Sequence, residues 1–215
     1  IFNLSGVALY QSRILNETIV NQETLAAMED RLDDAVKLIL PGMPLDVVAY
    51  GCTSASMVIG SLRIQEICQK AKPGVFVTNP FLAALESLHT MEISRIALIT
   101  PYLDDINQQM RSYFEKEGIE VSAIASFNVE DDNRVGRIAP ESIESVAYDI
   151  GKQSSVEGVF IACTNLRIAE RVHFLEKKLG KPVTSSNHAM AWHALHLAGI
   201  SHDQSGWGSL FDLTP

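Results

Sequence analysis

Two short segments of this chain share one pattern, and that pattern constrains the fold more than any other feature. Each is a run of apolar and β-branched residues that ends in Cys-Thr plus a small polar residue and then continues into a helical pattern. The first segment covers 45–54 (LDVVAYGCTS) and the second covers 158–165 (GVFIACTN). An apolar run bounded by polar residues predicts a buried strand, so each cysteine is expected at a strand's C-terminal end. Open parallel sheets bind their ligands at that end.

Strand patterns alternate with helix patterns along the rest of the chain. Strands are predicted over 7–14, 45–50, 74–78, 95–100, 120–127, 158–162 and 182–186. Helices are predicted over 21–39, 56–70, 80–90, 104–118, 140–153, 166–179 and 187–198. This alternation is typical of α/β proteins with parallel sheets covered by helices on both faces.

Seven strands with two matching Cys-Thr turns fit two smaller α/β lobes better than one wide sheet. The expected fold class is therefore α/β with two pseudo-symmetric parallel-sheet lobes. The first lobe is expected to comprise 1–93 plus 186–215, and the second 94–185. A cleft between the lobes would bring Cys52 and Cys163 face to face, and the active site is expected there.

Composition excludes several classes of protein. A net charge of −9 over 215 residues argues against a nucleic-acid-binding surface, which would be basic. No apolar run approaches the roughly 18 residues of a membrane span, and no signal-peptide pattern is present. Three cysteines do not make a disulfide framework in a chain of this length. We therefore expect a soluble cytoplasmic protein with no nucleic-acid or membrane partner.

Two opposed thiols suggest proton transfer at carbon. A thiol titrates near pKa ~8.5, and a helix N-terminus is expected to lower that value. One thiol can take a proton from the carbon next to a carboxylate, and a second thiol can return one on the far side. The negative charge that builds on the carboxylate needs donors, and these stand beside the cysteines as Thr53, Ser54, Thr164 and Asn165. The alternative is that both cysteines are small core residues, but the matched context of the pair favours function.

Other segments have more than one interpretation. Tyr102 follows a predicted strand, where its phenol either binds a substrate carboxylate or only caps the strand end. The run Ser185-Ser186-Asn187 follows the last strand and either caps the final helix, binds a carboxylate, or does both. Cys68 lies inside a helical stretch and is expected to pack in the core.

No cofactor or metal is expected. Among His188, His193 and His196 only the last two lie about one helical turn apart, and no second ligand cluster accompanies them. The run Gly206-Trp207-Gly208 lacks the spacing of a dinucleotide fingerprint, and no lysine stands in the setting of a pyridoxal enzyme. The acidic run 130–132 is expected to be a solvated loop.

Several motifs together resemble one superfamily. They are YGCTS at 50–54, TPY at 100–102, ACTNLR at 162–167, GKPVTSSN at 180–187, AWH at 191–193 and GWGSLF at 206–211. With these motifs the chain resembles the aspartate/glutamate racemase superfamily, in the branch of maleate cis–trans isomerase, arylmalonate decarboxylase and the racemase-like proteins of ectoine utilisation. The motifs at 180–187 and 191–193 look most like the ectoine-utilisation proteins, and the motif at 206–211 looks like the decarboxylase tail.

The resemblance implies a cofactor-independent isomerase or racemase acting on a small carboxylate, either an amino acid or its derivative or a maleate-like diacid. It implies that Cys52 and Cys163 are catalytic, that Thr53, Ser54, Tyr102 and Thr164 surround the substrate carboxylate, and that the protein is a homodimer. Asn165, Ser185 and Asn187 complete the expected substrate-binding set.

The resemblance also ranks the reactions. In arylmalonate decarboxylase the first cysteine position is glycine, so Cys52 argues against decarboxylation here. Maleate isomerase uses its first cysteine as a nucleophile, whereas racemases use both cysteines as bases, and the sequence leaves both mechanisms open. A small-acid-binding protein without catalysis is a further alternative, although a binder has no need of two thiols. Family members usually carry a strand and an asparagine-bearing loop ahead of the segment that here starts Ile1-Phe2-Asn3, so this set of site residues is expected to be incomplete.

Overall fold

A computed structural model describes residues 4–201 and 206–213, and its strands form two separate parallel sheets. The first sheet has the order β1-β2 and the second has the order β4-β3-β5-β6. The four ladders between the described strands are parallel, which confirms the predicted α/β class. The strands are β1 (Val47–Ala49), β2 (Phe76–Thr78), β3 (Arg95–Thr100), β4 (Glu120–Ser126), β5 (Gly158–Ile161) and β6 (Val183–Ser185).

Helices connect the strands and cover the sheets. In chain order they are α1 (Gln22–Ala26), α2 (Glu29–Lys37), α3 (Thr53–Ile59), α4 (Ser61–Ala71), α5 (Pro80–Thr90), α6 (Asp104–Lys116), α7 (Asp132–Val135), α8 (Pro140–Gly151), α9 (Val172–Leu179), α10 (Ser186–Leu197) and α11 (Ser209–Asp212). A 3-10 turn over Ala169–Arg171 leads into α9. None of the described helices is both long and apolar enough to cross a membrane.

Local sequence explains where several helices begin and end. The Asn79 side chain accepts hydrogen bonds from the first backbone N–H groups of α5, and Pro80 follows at a position where its missing N–H costs nothing. Asn21 and Thr24 form a capping box at the start of α1. Gly180 ends α9 in the left-handed conformation that glycine adopts without strain.

The predicted strand over 7–14 is wrong. This segment is irregular, and the side chains of Leu9 and Tyr10 are 59% and 51% exposed. The apolar residues there predicted a buried strand, but no ladder pairs them with a neighbouring strand. The described part of the chain therefore contains six strands rather than seven.

Two predicted long helices are each divided in two. The helix predicted over 56–70 is interrupted at Gly60, whose φ of +91° lies outside the helical region, so α3 and α4 are separate helices. The helix predicted over 21–39 breaks between Ala26 and Glu29. Buried apolar residues recur on both sides of each break, among them Leu25 and Leu32 around the first and Ala55 and Ile64 around the second, so periodicity alone did not reveal the breaks.

The main apolar core joins the two sheets, and a smaller separate cluster forms where α10 meets α11. The residues of β3 from Ile96 to Ile99 are fully buried. Phe81 of α5 contacts Phe114 with ring centroids 4.7 Å apart, and Phe114 contacts Phe160 of β5 at 5.5 Å. The division into lobes at 93/94 and 185/186 stays a prediction, although no strand ladder crosses either boundary.

Candidate active site

Cys52 and Cys163 line one cavity of about 310 Å³. Cys52 follows β1 of the first sheet and is half-buried, whereas Cys163 follows β5 of the second sheet and is 7% exposed. Each cysteine thus lies just beyond the C-terminal end of its strand, where parallel sheets present their ligand-binding groups. The arrangement brings thiols from two different sheets to one opening.

Cys52 is held by the start of α3. It is the residue before the helix and has an extended backbone, with φ −138° and ψ 115°. Its Sγ lies 3.8 Å from the Ser54 Oγ, and its carbonyl accepts a 2.5 Å hydrogen bond from the Ser56 hydroxyl. The backbone N–H groups of Ser54 and Ala55 also face the sulfur. These donors would stabilise a thiolate at this position.

Cys163 has a strained backbone. Its φ of +105° lies in a region that residues other than glycine rarely adopt. The Asn165 N–H lies 3.4 Å from the Cys163 Sγ and donates to it. Strain of this kind persists only where the surrounding structure imposes it, and it concentrates at functional sites. Here the strained turn directs the thiol into the cavity.

Ser186 joins the two cysteine loops. Its Oγ accepts a 2.8 Å hydrogen bond from the Thr53 hydroxyl and a 3.0 Å hydrogen bond from the Cys163 N–H. Ser186 is fully buried, so both contacts are shielded from water. A second link runs from the Thr164 hydroxyl to the Gly51 carbonyl at 3.0 Å. The spacing between the two thiols is therefore set by direct contacts across the sheets.

Tyr102 places a phenol beside both cysteine loops. It follows β3 and is 4% exposed. Its carbonyl accepts hydrogen bonds from the Asn107 amide, at 2.9 Å, and from the Ser126 hydroxyl. Its phenol lies beside the Cys163 thiol and the Ser54 hydroxyl. Burial raises the pKa of Tyr102, so the phenol keeps its proton and can act as a donor.

The pKa shifts of the two thiols are opposite in direction to the one expected from a helix N-terminus. Burial raises the pKa of Cys52 above its ordinary value and raises the pKa of Cys163 to about 12. The backbone N–H groups of Ala55 and Asn165 lower these pKa values, but by less than burial raises them. Both cysteines are consequently thiols near neutral pH in the ligand-free protein.

Seven of the nine predicted site residues line the shared cavity. They are Cys52, Thr53, Ser54, Tyr102, Cys163, Thr164 and Asn165. The other two, Ser185 and Asn187, are not among its lining residues. Ser185 accepts a hydrogen bond from the His188 N–H and caps α10, whereas the Asn187 amide donates to the Thr164 carbonyl at 2.8 Å. Asn187 therefore supports the cavity residue Thr164, whereas Ser185 fixes the start of α10.

The sequence did not single out the remaining cavity residues. Asp132 was expected in a solvated loop, and this expectation is wrong because its half-buried side chain lines the cavity. The neighbouring Asp131 caps α7 instead. No local signal distinguishes two consecutive aspartates, since the fold decides which one faces the cavity. Apolar residues of α1, α2, β1 and the turn between the two helices form another wall, among them Leu25, Met28, Leu32, Val36 and Val48.

The other candidate residues belong to the core. Cys68 is fully buried in α4, which confirms its packing role. His188 bonds Thr184 at 3.0 Å and the Trp207 carbonyl at 2.6 Å, and His193 bonds the Thr78 hydroxyl at 2.9 Å. Within residues 4–201 and 206–213, no three His, Cys, Asp or Glu side chains converge as metal ligands would.

The fold and the site define a two-sheet α/β protein with paired thiols at the strand ends. The family model described as arylmalonate decarboxylase matches residues 8–211, so the chain belongs to this family. The racemase-like superfamily branch identified from the motifs is thereby confirmed, whereas the ectoine link stays a prediction.

The relatives of this chain include both arylmalonate decarboxylases and maleate isomerases. The chain is 26% identical to an arylmalonate decarboxylase of Bordetella bronchiseptica over 87% of this chain and 79% of that protein. It is 27% identical to a maleate isomerase of Nocardia farcinica over 89% of this chain and 78% of that protein. A solved structure of Nocardia farcinica maleate cis–trans isomerase, a Cys-to-Ser mutant with a covalently bound succinylcysteine intermediate, superimposes with a TM-score of 0.87 and 25% identity. That superposition covers 97% of this chain and 88% of the other.

Proposed function

We propose that the protein is a cofactor-independent isomerase or racemase of a small carboxylate, with Cys52 and Cys163 as the reacting pair. The observation that carries this proposal is that thiols from two different sheets line one cavity. Two core cysteines would not need a shared opening. Relatives at 26% and 27% identity are named maleate isomerases, and the reaction in that name is an isomerisation.

In the racemase form of the reaction, one cysteine first gives its proton to solvent and acts as a thiolate base, and the other acts as a thiol acid. The thiolate takes the proton from the carbon next to the carboxylate, and the C–H electron pair moves into the carboxylate. The opposite thiol then gives its proton to the other face of that carbon. One proton is taken and one is returned, so the product is the mirror-image acid and the two cysteines have exchanged roles.

The carboxylate becomes more negative during this step and needs fixed donors. The Ser54 hydroxyl and the Tyr102 phenol face the cavity beside the cysteines, and the Asn165 side chain lines it as well. The hydroxyls of Thr53 and Thr164 already donate to Ser186 and to the Gly51 carbonyl, so their part is to hold the loops. Each well-placed donor to such a charge is worth about 3–4 kcal/mol in the barrier.

The isomerase form of the reaction uses one cysteine as a nucleophile. Its thiolate adds to one carbon of a carbon–carbon double bond, and the π electrons move toward the carboxylate. The former double bond can then rotate before the electrons return and expel the thiolate, with no net change in atoms. The covalent succinylcysteine in the Nocardia farcinica maleate isomerase structure supports this form, because it shows that a cysteine of a related fold bonds to a four-carbon diacid.

Decarboxylation is the second candidate, because the matching family model carries the name arylmalonate decarboxylase. In that reaction a malonate loses carbon dioxide and one cysteine returns a proton to the resulting carbanion. The second thiol, Cys52, would then have no chemical step. Release of carbon dioxide from a malonate, measured together with solvent-deuterium incorporation, separates this candidate from the first.

The test is an exchange screen in deuterium oxide over small amino acids, their N-acetyl derivatives and maleate, followed by proton NMR. The Cys52→Ser and Cys163→Ser variants should each lose isomerisation or racemisation by at least a thousandfold. The matched control is Cys68→Ala, which removes the third thiol from the core and should keep wild-type turnover. Wild-type rates in both active-site variants would exclude the proposed pair.

A further inference from the structure

The motif GWGSLF at 206–211 lies outside the cavity, since none of the described residues from 206 to 213 lines it. We call residues 206–213 the C-terminal segment. Leu210 and Phe211 of this segment are buried against Trp192 of α10 in the smaller apolar cluster. Apolar packing accounts for these two residues, whereas the three residues before them make polar contacts with α9 and α10.

Glu176 of α9 links the C-terminal segment to the start of β6. Its Oε1 accepts from the Val183 N–H at 2.9 Å and from the Ser209 hydroxyl at 2.6 Å, and its Oε2 accepts from the Ser209 N–H at 2.8 Å. A Cβ atom added at Gly208 would lie 2.9 Å from the same Oε2 and 3.0 Å from Val172. Gly208 also has a φ of +101°, so both the close approach and the backbone favour glycine.

His188 of α10 links the same segment to β6 by a second route. Its Nε2 lies 2.6 Å from the Trp207 carbonyl, and its Nδ1 lies 3.0 Å from the Thr184 hydroxyl. Burial lowers the pKa of His188 to about 4, so near neutral pH the ring carries a single N–H. Because a carbonyl can only accept, this N–H is on Nε2, and Nδ1 accepts from Thr184. The two partners together fix the tautomer and the orientation of the ring.

The turn Ser185-Ser186-Asn187 lies between Thr184 and His188, so the hydrogen bond between their side chains spans this turn. The turn in its turn holds the Cys163 loop at two points. Ser186 accepts from the Cys163 N–H at 3.0 Å, and Asn187 donates to the Thr164 carbonyl at 2.8 Å. The strained backbone at Cys163 is therefore held by a turn that is itself held by His188.

We propose that His188 is a positioning residue for Cys163 and that the C-terminal segment holds His188 in this role. The path of contacts runs from the Trp207 carbonyl through His188 to the turn at 185–187, and from this turn to the Cys163 N–H. The inference rests on the proposed function, because it concerns the placement of a thiol that takes part in the reaction. It adds a requirement of that reaction that lies outside the cavity.

Displacement of the thiol should lower kcat and leave KM nearly unchanged. Tyr102, a donor to the substrate carboxylate in the proposed function, is held by Asn107 and Ser126 rather than by the turn. A shift of about 1 Å in a reacting group can lower a rate by ~100-fold. Disruption of the C-terminal segment should therefore lower kcat by about tenfold or more and change KM by less than about twofold.

Two glycine variants provide a matched pair for this test. Gly208→Ala places a methyl group against Glu176 and Val172, whereas Gly199→Ala meets no atom within 4 Å. Both positions have a positive φ, +101° and +65°, so both variants carry backbone strain and only the first displaces the C-terminal segment. Kinetics are measured with the best substrate from the exchange screen, at a temperature where thermal unfolding shows both variants folded. The fall in kcat should appear in Gly208→Ala only.

Alkylation by iodoacetamide needs no substrate and separates positioning from general loosening of the fold. Peptide mass spectrometry gives separate rates for Cys163 and for the fully buried core thiol Cys68. In Gly208→Ala the rate at Cys163 should rise by about threefold or more, while the rate at Cys68 stays at the wild-type value. His188→Leu removes both hydrogen bonds of the ring and should give the same result without a change in the C-terminal segment itself.

Two outcomes would overturn the proposal. In the first, Gly208→Ala lowers kcat no more than Gly199→Ala does. In the second, Cys163 reacts at the wild-type rate in both Gly208→Ala and His188→Leu, or Cys68 accelerates as much as Cys163. The alkylation rates do not depend on the substrate, whereas the proposed function fails if the serine variants of both active-site cysteines keep wild-type turnover, so the two failures are distinguishable.

Discussion

The strained backbone at Cys163 should reverse the usual order of stability between an alanine and a glycine variant. Cys163→Ala and Cys163→Gly both remove the thiol, and they differ only by one Cβ atom. In ordinary backbone a glycine is about 0.5–1 kcal/mol less stable than an alanine because it loses more entropy on folding. At a φ of +105° the order changes, since a Cβ atom there costs about 1–3 kcal/mol. The glycine variant should therefore be the more stable of the two by about 1 kcal/mol.

Cys52 provides the matched control in the same cavity. Its φ of −138° is extended and suits any residue, so Cys52→Ala should be more stable than Cys52→Gly by about 0.5–1 kcal/mol. The assay is urea and thermal unfolding followed by circular dichroism. A difference of 1 kcal/mol shifts the melting temperature by about 2–4 °C in a chain of this size. If alanine is the more stable substitution at both positions, Cys163 is not strained and the reasoning fails.

Three other predictions concern titration and packing. Alkylation by iodoacetamide should accelerate as pH rises above 9, and peptide mass spectrometry should show half-buried Cys52 modified before buried Cys163. Fast reaction of both thiols at pH 7 would contradict the raised pKa values. Burial lowers the pKa of His188 from its ordinary 6.5 to about 4. The free energy of unfolding should therefore fall by up to about 3 kcal/mol as pH drops from 6.5 to 4, and in urea titrations His188→Gln should show a weaker dependence on pH. Ser186→Ala leaves two buried donors without their acceptor, so it should lower the free energy of unfolding by about 1–3 kcal/mol and kcat by at least tenfold. The control Ser87→Ala loses only a hydroxyl bonded to its own helix and should leave kcat unchanged.

The sequence was sufficient to predict the elements that carry the site. The strand over Arg95–Thr100 and the helix over Pro80–Thr90 have the predicted bounds, because each is a strong apolar pattern with clear end signals. The positions of Cys52 and Cys163 just after buried strands followed from the same patterns. Their meeting in one cavity depended on the two-lobe prediction, which rested on the repeated Cys-Thr turns.

Other features depend on tertiary contacts that local sequence does not encode. The segment 7–14 has the composition of a strand but pairs with no described strand, so the prediction of a strand from its composition was wrong. The raised thiol pKa values come from burial, which outweighs the local N–H donors that the sequence suggested. Motifs placed Ser186 near the site, but its link between the two cysteine loops and the position of Asp132 at the cavity depend on contacts between segments more than 20 residues apart. The homodimer and the ectoine link stay predictions.

The central claim is that the two thiols act on opposite faces of one substrate carbon. It is tested most directly by measuring α-proton exchange of each pure enantiomer of the best chiral substrate from the screen, in Cys52→Ser and Cys163→Ser. Each variant keeps one thiol, so each should exchange the proton of one enantiomer without racemising it, and the two variants should prefer opposite enantiomers. The same enantiomer preference in both variants, or unimpaired racemisation in either, would contradict the account.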